Sequence, residues 1–250
     1  MWGAVLWGGV AASSLLLGAG LGMLRRWPDR LVGLVLAFGA GALIAAVSFE
    51  LALKGLQLSG TGPVAIGLAV GALAYYLADR AVERPTARRT AAGRRDPAGT
   101  GTAGRAELGR ALALGSVLDG VPEQLVLGIG LAIGPGISLS LLVAVTVSNL
   151  PEAIGAAAVM RAAGHTAWRV AGLWLLVTLT CAAATPLGYA LAEVTTPGGN
   201  GAVNGFAGGA VLVMLIDSMI PAAAGKAGAT AGLATVLGFA IAAGLSALTL

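Results

Sequence analysis

The chain has almost no side chains of the kinds that hold soft metals. It contains one histidine, His165, and one cysteine, Cys181. A closed zinc site needs four nitrogen or sulfur ligands, and a disulfide needs two cysteines, so both are excluded. Cys181 lies in an apolar run and reads as a small buried hydrophobe. Charge is equally scarce. Charged residues make up 10% of the 250, against about a quarter in soluble domains. Aromatics are 5%, and none interleaves the arginines, which argues against nucleic acid as a partner despite a pI of 9.8. There is no nucleophile–base pair and no phosphate-cradling loop, so no enzyme chemistry and no organic cofactor are expected.

What the chain has instead is 57% hydrophobic residues, 40 glycines and a mean hydropathy of +0.89. Helices in lipid associate by packing, and small residues let their backbones approach. The reading is an all-α integral membrane protein. The opening segment ends in Arg25, Arg26 and Arg30. A secretory signal carries its basic residues before the apolar region, so this segment is expected to be a retained first helix.

A span needs about 20 mostly apolar residues. Eight candidates satisfy this: residues 4–24, 32–53, 63–80, 108–132, 137–160, 168–192, 203–224 and 228–249. Spans four and five are separated by little more than Gly134-Pro135-Gly136, which predicts an antiparallel helical hairpin. With the N-terminus outside, 14 of the 15 basic residues fall in or beside the inner loops, and only Lys54 falls outside. That asymmetry supports eight spans with both termini outside, in the cytoplasmic membrane of a prokaryote. The domain reading is one membrane unit: spans one to three over 1–80, an arginine-rich loop over 81–107, and spans four to eight over 108–250. The loop lacks apolar periodicity and is expected to be disordered. Its arginines suit retention inside and contact with anionic lipid headgroups.

A weak internal repeat is visible. Phe38-Gly-Ala-Gly41 opens an apolar run that reaches Glu50, and Phe206-Ala-Gly-Gly209 opens one that reaches Asp217 and Ser218. The two runs point in opposite directions, which predicts an inverted repeat of helices 1–3 and 6–8 around the hairpin of helices 4 and 5.

Five of the eleven acidic residues lie within spans: Glu50, Asp119, Glu123, Glu152 and Asp217. An ionised acid near the bilayer centre costs about 2.5–3.5 kcal/mol, so three central ones cost roughly 8–10 kcal/mol if unpaired. Asp119, Glu123 and Glu152 are those three, and no lysine or arginine is expected at their depth. Protons, a bound cation or water must neutralise them. Asp119 and Glu123 are four residues apart and share a helix face; Asn149 and Glu152 are three apart and do the same. Pro122 and Pro151 directly precede the two glutamates and free the carbonyls of Leu118 and Val147. Free carbonyls at membrane depth are tolerated only against protein or a polar cavity.

The stretches VLDGVPEQLVLG and VSNLPEAIGAA resemble the fourth and fifth helices of the ZIP (Zrt/Irt-like) family of divalent metal-ion transporters, which typically carry H-N-x-P-E-G in both. Eight helices, the hairpin, the F-x-x-G openings of helices 2 and 7 and the sequence IDSMIPAA fit the same pattern. The resemblance implies movement of metal into the cytosol through a midplane site exposed alternately to each side. It also implies ligands at Asp119, Glu123, Asn149, Glu152 and Ser148. The departures are specific. The family's helix-4 histidine and asparagine fall on Asp119 and Gly120, and its helix-5 histidine falls on Ser148. A helix-6 glutamate falls on Thr185, which removes a ligand from a second metal position. The remaining set is all oxygen, which suits manganese, magnesium or calcium and admits ferrous iron, so preference is expected to move from the family's zinc toward harder ions. Glu50, Asp217 and Thr185 are candidates for the pathway. Small-residue faces on helices 2 and 3 suit a homodimer. Two other readings stay open: a non-transporting metal-binding or sensing protein on the same scaffold, and a proton-coupled carrier of another small solute.

Overall fold

The computed structural model describes residues 1–93, 102–134 and 136–247. Among the described residues every regular element is a helix. Eight helices are long and apolar enough to cross a membrane. They are α1 (Trp2–Leu24), α2 (Asp29–Ser59), α3 (Thr61–Gly93, apolar over Thr61–Ala81), α4 (Thr102–Ile133, apolar over Ala111–Ile133), α5 (Leu139–Ala162), α6 (Ala167–Val194), α7 (Gly199–Ala227) and α8 (Thr230–Ala247). Each expected span matches one of them. The largest shift is in α2, which runs on past residue 53 until Gly60, at φ 75°, turns the chain. Gly228, at φ 60°, does the same between α7 and α8. Only glycine takes these left-handed angles at no steric cost.

The arginine-rich segment differs from expectation. Residues 81–93 continue α3 and residues 102–107 begin α4. Their alanines and arginines are strong helix formers, and each stretch propagates a helix already nucleated by the adjoining span. Residues 94–101, in the middle of the segment expected to be disordered, lie outside the described residues.

Successive helices run in opposite directions. One end of the bundle carries the connection between α3 and α4 (the arginine end); the other carries the connection between α4 and α5 (the hairpin end). Ser138 caps α5, its hydroxyl oxygen accepting from the Leu141 amide at 3.3 Å. The main contacts are α2 on α7, α3 on α7, α4 on α6, α2 on α8, α1 on α5, α1 on α6 and α2 on α5, with α4 on α7 a smaller one. Backbones touch where glycine permits it. Gly41 of α2 lies on the Thr235 carbonyl of α8, and Gly209 of α7 lies on the Leu68 carbonyl of α3; a Cβ at either position would collide. Large apolar side chains such as Leu17, Ile66, Leu176 and Leu233 are exposed around the outside, as a lipid-facing surface requires.

Two helices depart from α-geometry. Both α2, over Val47–Leu53, and α7, over Leu215–Met219, widen into π-helical turns. Such turns insert an extra residue, redirect the side chains around them and are frequent at functional sites.

Candidate functional site

α4 and α5 remain helical through Pro122 and Pro151. On α4, Asp119 and Glu123 stack one turn apart. On α5, Ser148 and Glu152 do the same. The three carboxylates line a single cavity of about 50 Å³, closed by Leu36 of α2 and by Met214, Ser218 and Met219 of α7. The volume suits a few water molecules or a partly hydrated ion. Asp119, Glu123 and Glu152, expected to surround one point, therefore line one cavity.

Hydroxyl groups surround these acids. Tyr75 of α3 donates to Asp119 Oδ1 at 2.6 Å, and Ser218 donates to Oδ2 at 2.7 Å. Ser148 lies 3.0 Å from both oxygens of Glu123. Ser116, one turn below Asp119 on α4, hydrogen-bonds Glu152. Among the described residues, no lysine or arginine reaches ion-pairing distance of any of the three; the one ion pair is Lys54 with Glu50. Nor do any three histidine, cysteine, aspartate or glutamate side chains stand close enough to hold one metal ion together. In this conformation the carboxylates share a cavity while each is drawn to its own hydroxyl partner.

The other expected residues divide. Ser148 belongs to the site through Glu123. α2 crosses it closely, because a Cβ on Gly39 would lie 2.9 Å from Ser148 Cα, and that crossing leaves little room for an imidazole. Asn149 is buried, and neither amide atom has a hydrogen-bond partner; it does not line the cavity. Gly120 leaves room for Cys181, whose sulfur would lie 2.7 Å from a Cβ placed there. Thr185 donates to Gln124 Oε1 at 2.5 Å in the buried α4–α6 contact, away from the cavity. Asp217 is exposed, and the next residue, Ser218, is the one that reaches the carboxylates. Glu50 stands apart from the cavity in a separate polar nest. Lys54 donates to its Oε2 at 2.6 Å, while Ser140 and Ser246 donate to Oε1 at 3.1 and 3.0 Å. His165, the one histidine, is buried beyond the end of α5, and Arg161 donates a hydrogen bond to its carbonyl.

Three hydroxyl donors were not singled out from sequence. Ser218 was hidden behind its acidic neighbour. Tyr75 and Ser116 carry no motif; only a polar-tipped aromatic in the third span hinted at the first. A second cavity, about 310 Å³ and wholly apolar, lies among α3, α4, α6 and α7. The Tyr75 ring borders it while the Tyr75 hydroxyl reaches Asp119.

Compared with known proteins, the chain matches no protein-family model and no curated sequence.

Proposed function

We propose that this protein is a ZIP-like carrier of divalent metal ions, moving them across the membrane toward the cytosol through the α4–α5 carboxylate cavity. One observation carries the reading: three carboxylates meet at the middle of an apolar bundle with no basic side chain among them. Anions in that setting require positive charge, and a divalent ion supplies two units of it. Asn149 adds a buried amide without a protein partner, and its carbonyl oxygen is a suitable hard ligand. Asp119, Glu123 and Glu152 would supply the charge, and Ser148 beside Glu123 would join them in an all-oxygen set that suits harder ions such as manganese better than zinc. Asn149, off the cavity in this conformation, would have to turn toward it to join the set. Glu123 and Glu152 are the two residues on which cargo binding would most depend.

The same proposal includes an inverted repeat. Landmarks in α2 and α7 recur 168 residues apart: Gly41 and Gly209 at helix crossings, Val47 and Leu215 at the start of the π-turns, Gly60 and Gly228 at the positive-φ turns. The helix contacts exchange consistently as well, α3 on α7 with α8 on α2, and α4 on α6 with α5 on α1. Two like halves of opposite direction around a central site are what alternating exposure requires. The arginine end would face the cytosol.

Purified protein in proteoliposomes, tested for flux of manganese, iron, zinc and calcium isotopes, decides the matter. Uptake of at least one ion above protein-free vesicles is expected. No flux of any ion, with correct insertion, overturns the carrier. A second reading draws on the hydroxyl donors. Carboxylates each held by a tyrosine or serine suit proton binding, so a proton-coupled carrier of another solute predicts that added metal leaves thermal stability unchanged.

A further inference from the structure

Lys226 occupies the last turn of α7, one turn beyond Ala222, which lines the carboxylate cavity. A lysine at a helix end beside lipid normally extends outward to water or headgroups. This one does not. Its stem crosses α2 at Gly33, where a Cβ would lie 2.7 Å from Lys226 Cβ. Its ammonium rests on α5 at Gly155, where a Cβ would lie 3.1 Å from Nζ. Gly155 is seven residues before the end of α5, about 10 Å inside it at 1.5 Å per residue. It is also one turn from Glu152. Two positions without side chains thus make a path for a lysine to lie under the cavity. Lys226 has no hydrogen bond or ion pair with any described residue.

We propose that Lys226 is a tethered counter-ion at the arginine-end floor of the cavity. Its flexible four-carbon stem lets the ammonium rise from Gly155 to Glu152 when the cavity holds no cation, and withdraw when one arrives. Cargo and lysine then compete for the same negative charge, and the returning lysine helps expel cargo toward the arginine end. The pairing with Glu152 stands on geometry alone; the competition with cargo rests on the metal reading above.

Carbodiimide cross-linking of the full-length protein in membrane vesicles separates the two. The reagent activates a carboxyl group, the amine attacks the carbonyl carbon, and the carboxyl oxygen leaves as part of the urea, so the protein loses one water. Mass spectrometry then locates the amide. Lys54 and Glu50, 2.6 Å apart, form an internal positive control. With EDTA present, a Lys226–Glu152 or Lys226–Asp119 amide is expected alongside the control, and its absence while the control forms overturns the proposal. Manganese ion is expected to suppress the Lys226 product at least fivefold and spare the control. A Lys226 product that manganese leaves unchanged supports the counter-ion and counts against metal as cargo. Lys226→Gln is expected to bind manganese about tenfold tighter in detergent and to release it more slowly in flux assays. Lys226→Arg retains the cation and is expected to stay near wild type in binding; a tenfold tightening there as well would overturn the role of charge.

Discussion

The protein buries acids in two places and treats them differently. Glu50 sits in a nest with a lysine at 2.6 Å and two serine hydroxyls. Asp119, Glu123 and Glu152 share a cavity with hydroxyl groups alone. In both places each acid is expensive to hold in lipid if it stays ionised and unpaired. One carries its own counter-charge in the sequence, four residues on along the same helix. The other has no such partner on its own helices, although a lysine in the same position relative to Glu123 or Glu152 would have needed a single substitution. The nearest cation among the described residues, Lys226, comes from α7 and pairs with none of them. Ala156 stands four residues after Glu152, and Leu127 four after Glu123. The paired acid is an internal brace that ties α2 to α5 and α8. On the proposed reading, the unpaired acids are left for a mobile cation.

The most drastic way to break this contrast is to remove a charge from the cavity. At about 4 Å and an effective dielectric near 20, one unit charge contributes about 4 kcal/mol of attraction, more than enough for a hundredfold change in rate. Glu123→Gln and Glu152→Gln are each expected to reduce isotope flux at least about a hundredfold while leaving membrane insertion intact. Flux near wild type in both variants would remove the carboxylates from the mechanism. Lys54→Ala attacks the other side of the comparison. It leaves Glu50 buried with only serines for company, at a cost of about 1–3 kcal/mol. The thermal midpoint in detergent should fall, while flux per folded molecule stays within about twofold. A large loss of flux at unchanged stability would instead place Glu50 on the transport path.

Selectivity tests whether hardness of the ligands matters. With oxygen ligands alone, unlabelled manganese should inhibit isotope uptake at concentrations about tenfold lower than zinc does. Asp119→His should narrow or reverse that order by supplying an imidazole at a position that faces the cavity. Zinc outcompeting manganese and iron in the wild type would show that the missing histidine does not set preference.

How much of this was readable before any coordinates is itself uneven. The eight spans were legible because lipid imposes a length and a composition that few loops imitate. That Asp119, Glu123 and Glu152 line one cavity was legible because helix periodicity fixes which residues share a face, and a five-residue connection keeps α4 and α5 adjacent. The arginine-rich segment is helical over 81–93 and 102–107, where polarity alone points to disorder: polarity excludes a packed core but not a helix, and the alanines favour one. In sequence Asp217 carries the obvious chemistry and Ser218 none, while the π-turn that holds both and turns Ser218 inward leaves no mark there. Lys226 was counted as a loop charge for a similar reason. Its direction depends on Gly33 and Gly155, two of 40 glycines, and nothing in the sequence says which glycines face a lysine stem.

The smallest expected effect is the most discriminating. Tyr75 places its ring against the apolar cavity among α3, α4, α6 and α7 and its hydroxyl on Asp119. Phenylalanine keeps the ring, so Tyr75→Phe should pack and insert normally. What it loses is one hydrogen bond to a carboxylate, worth about 0.5–1.5 kcal/mol net. In a brace such as the Glu50 nest, losing a donor weakens the assembly. In a binding cavity the sign reverses, because an incoming cation must displace that donor to use the oxygen it holds. Tyr75→Phe should therefore bind manganese about threefold to tenfold more tightly than wild type. The matching change in the nest, Ser246→Ala, should leave manganese affinity alone and lower only thermal stability. Weaker binding in Tyr75→Phe, with its fold intact, would mean that the tyrosine presents Asp119 to the cargo rather than competing for it, and the two acidic regions would then differ less than their partners suggest.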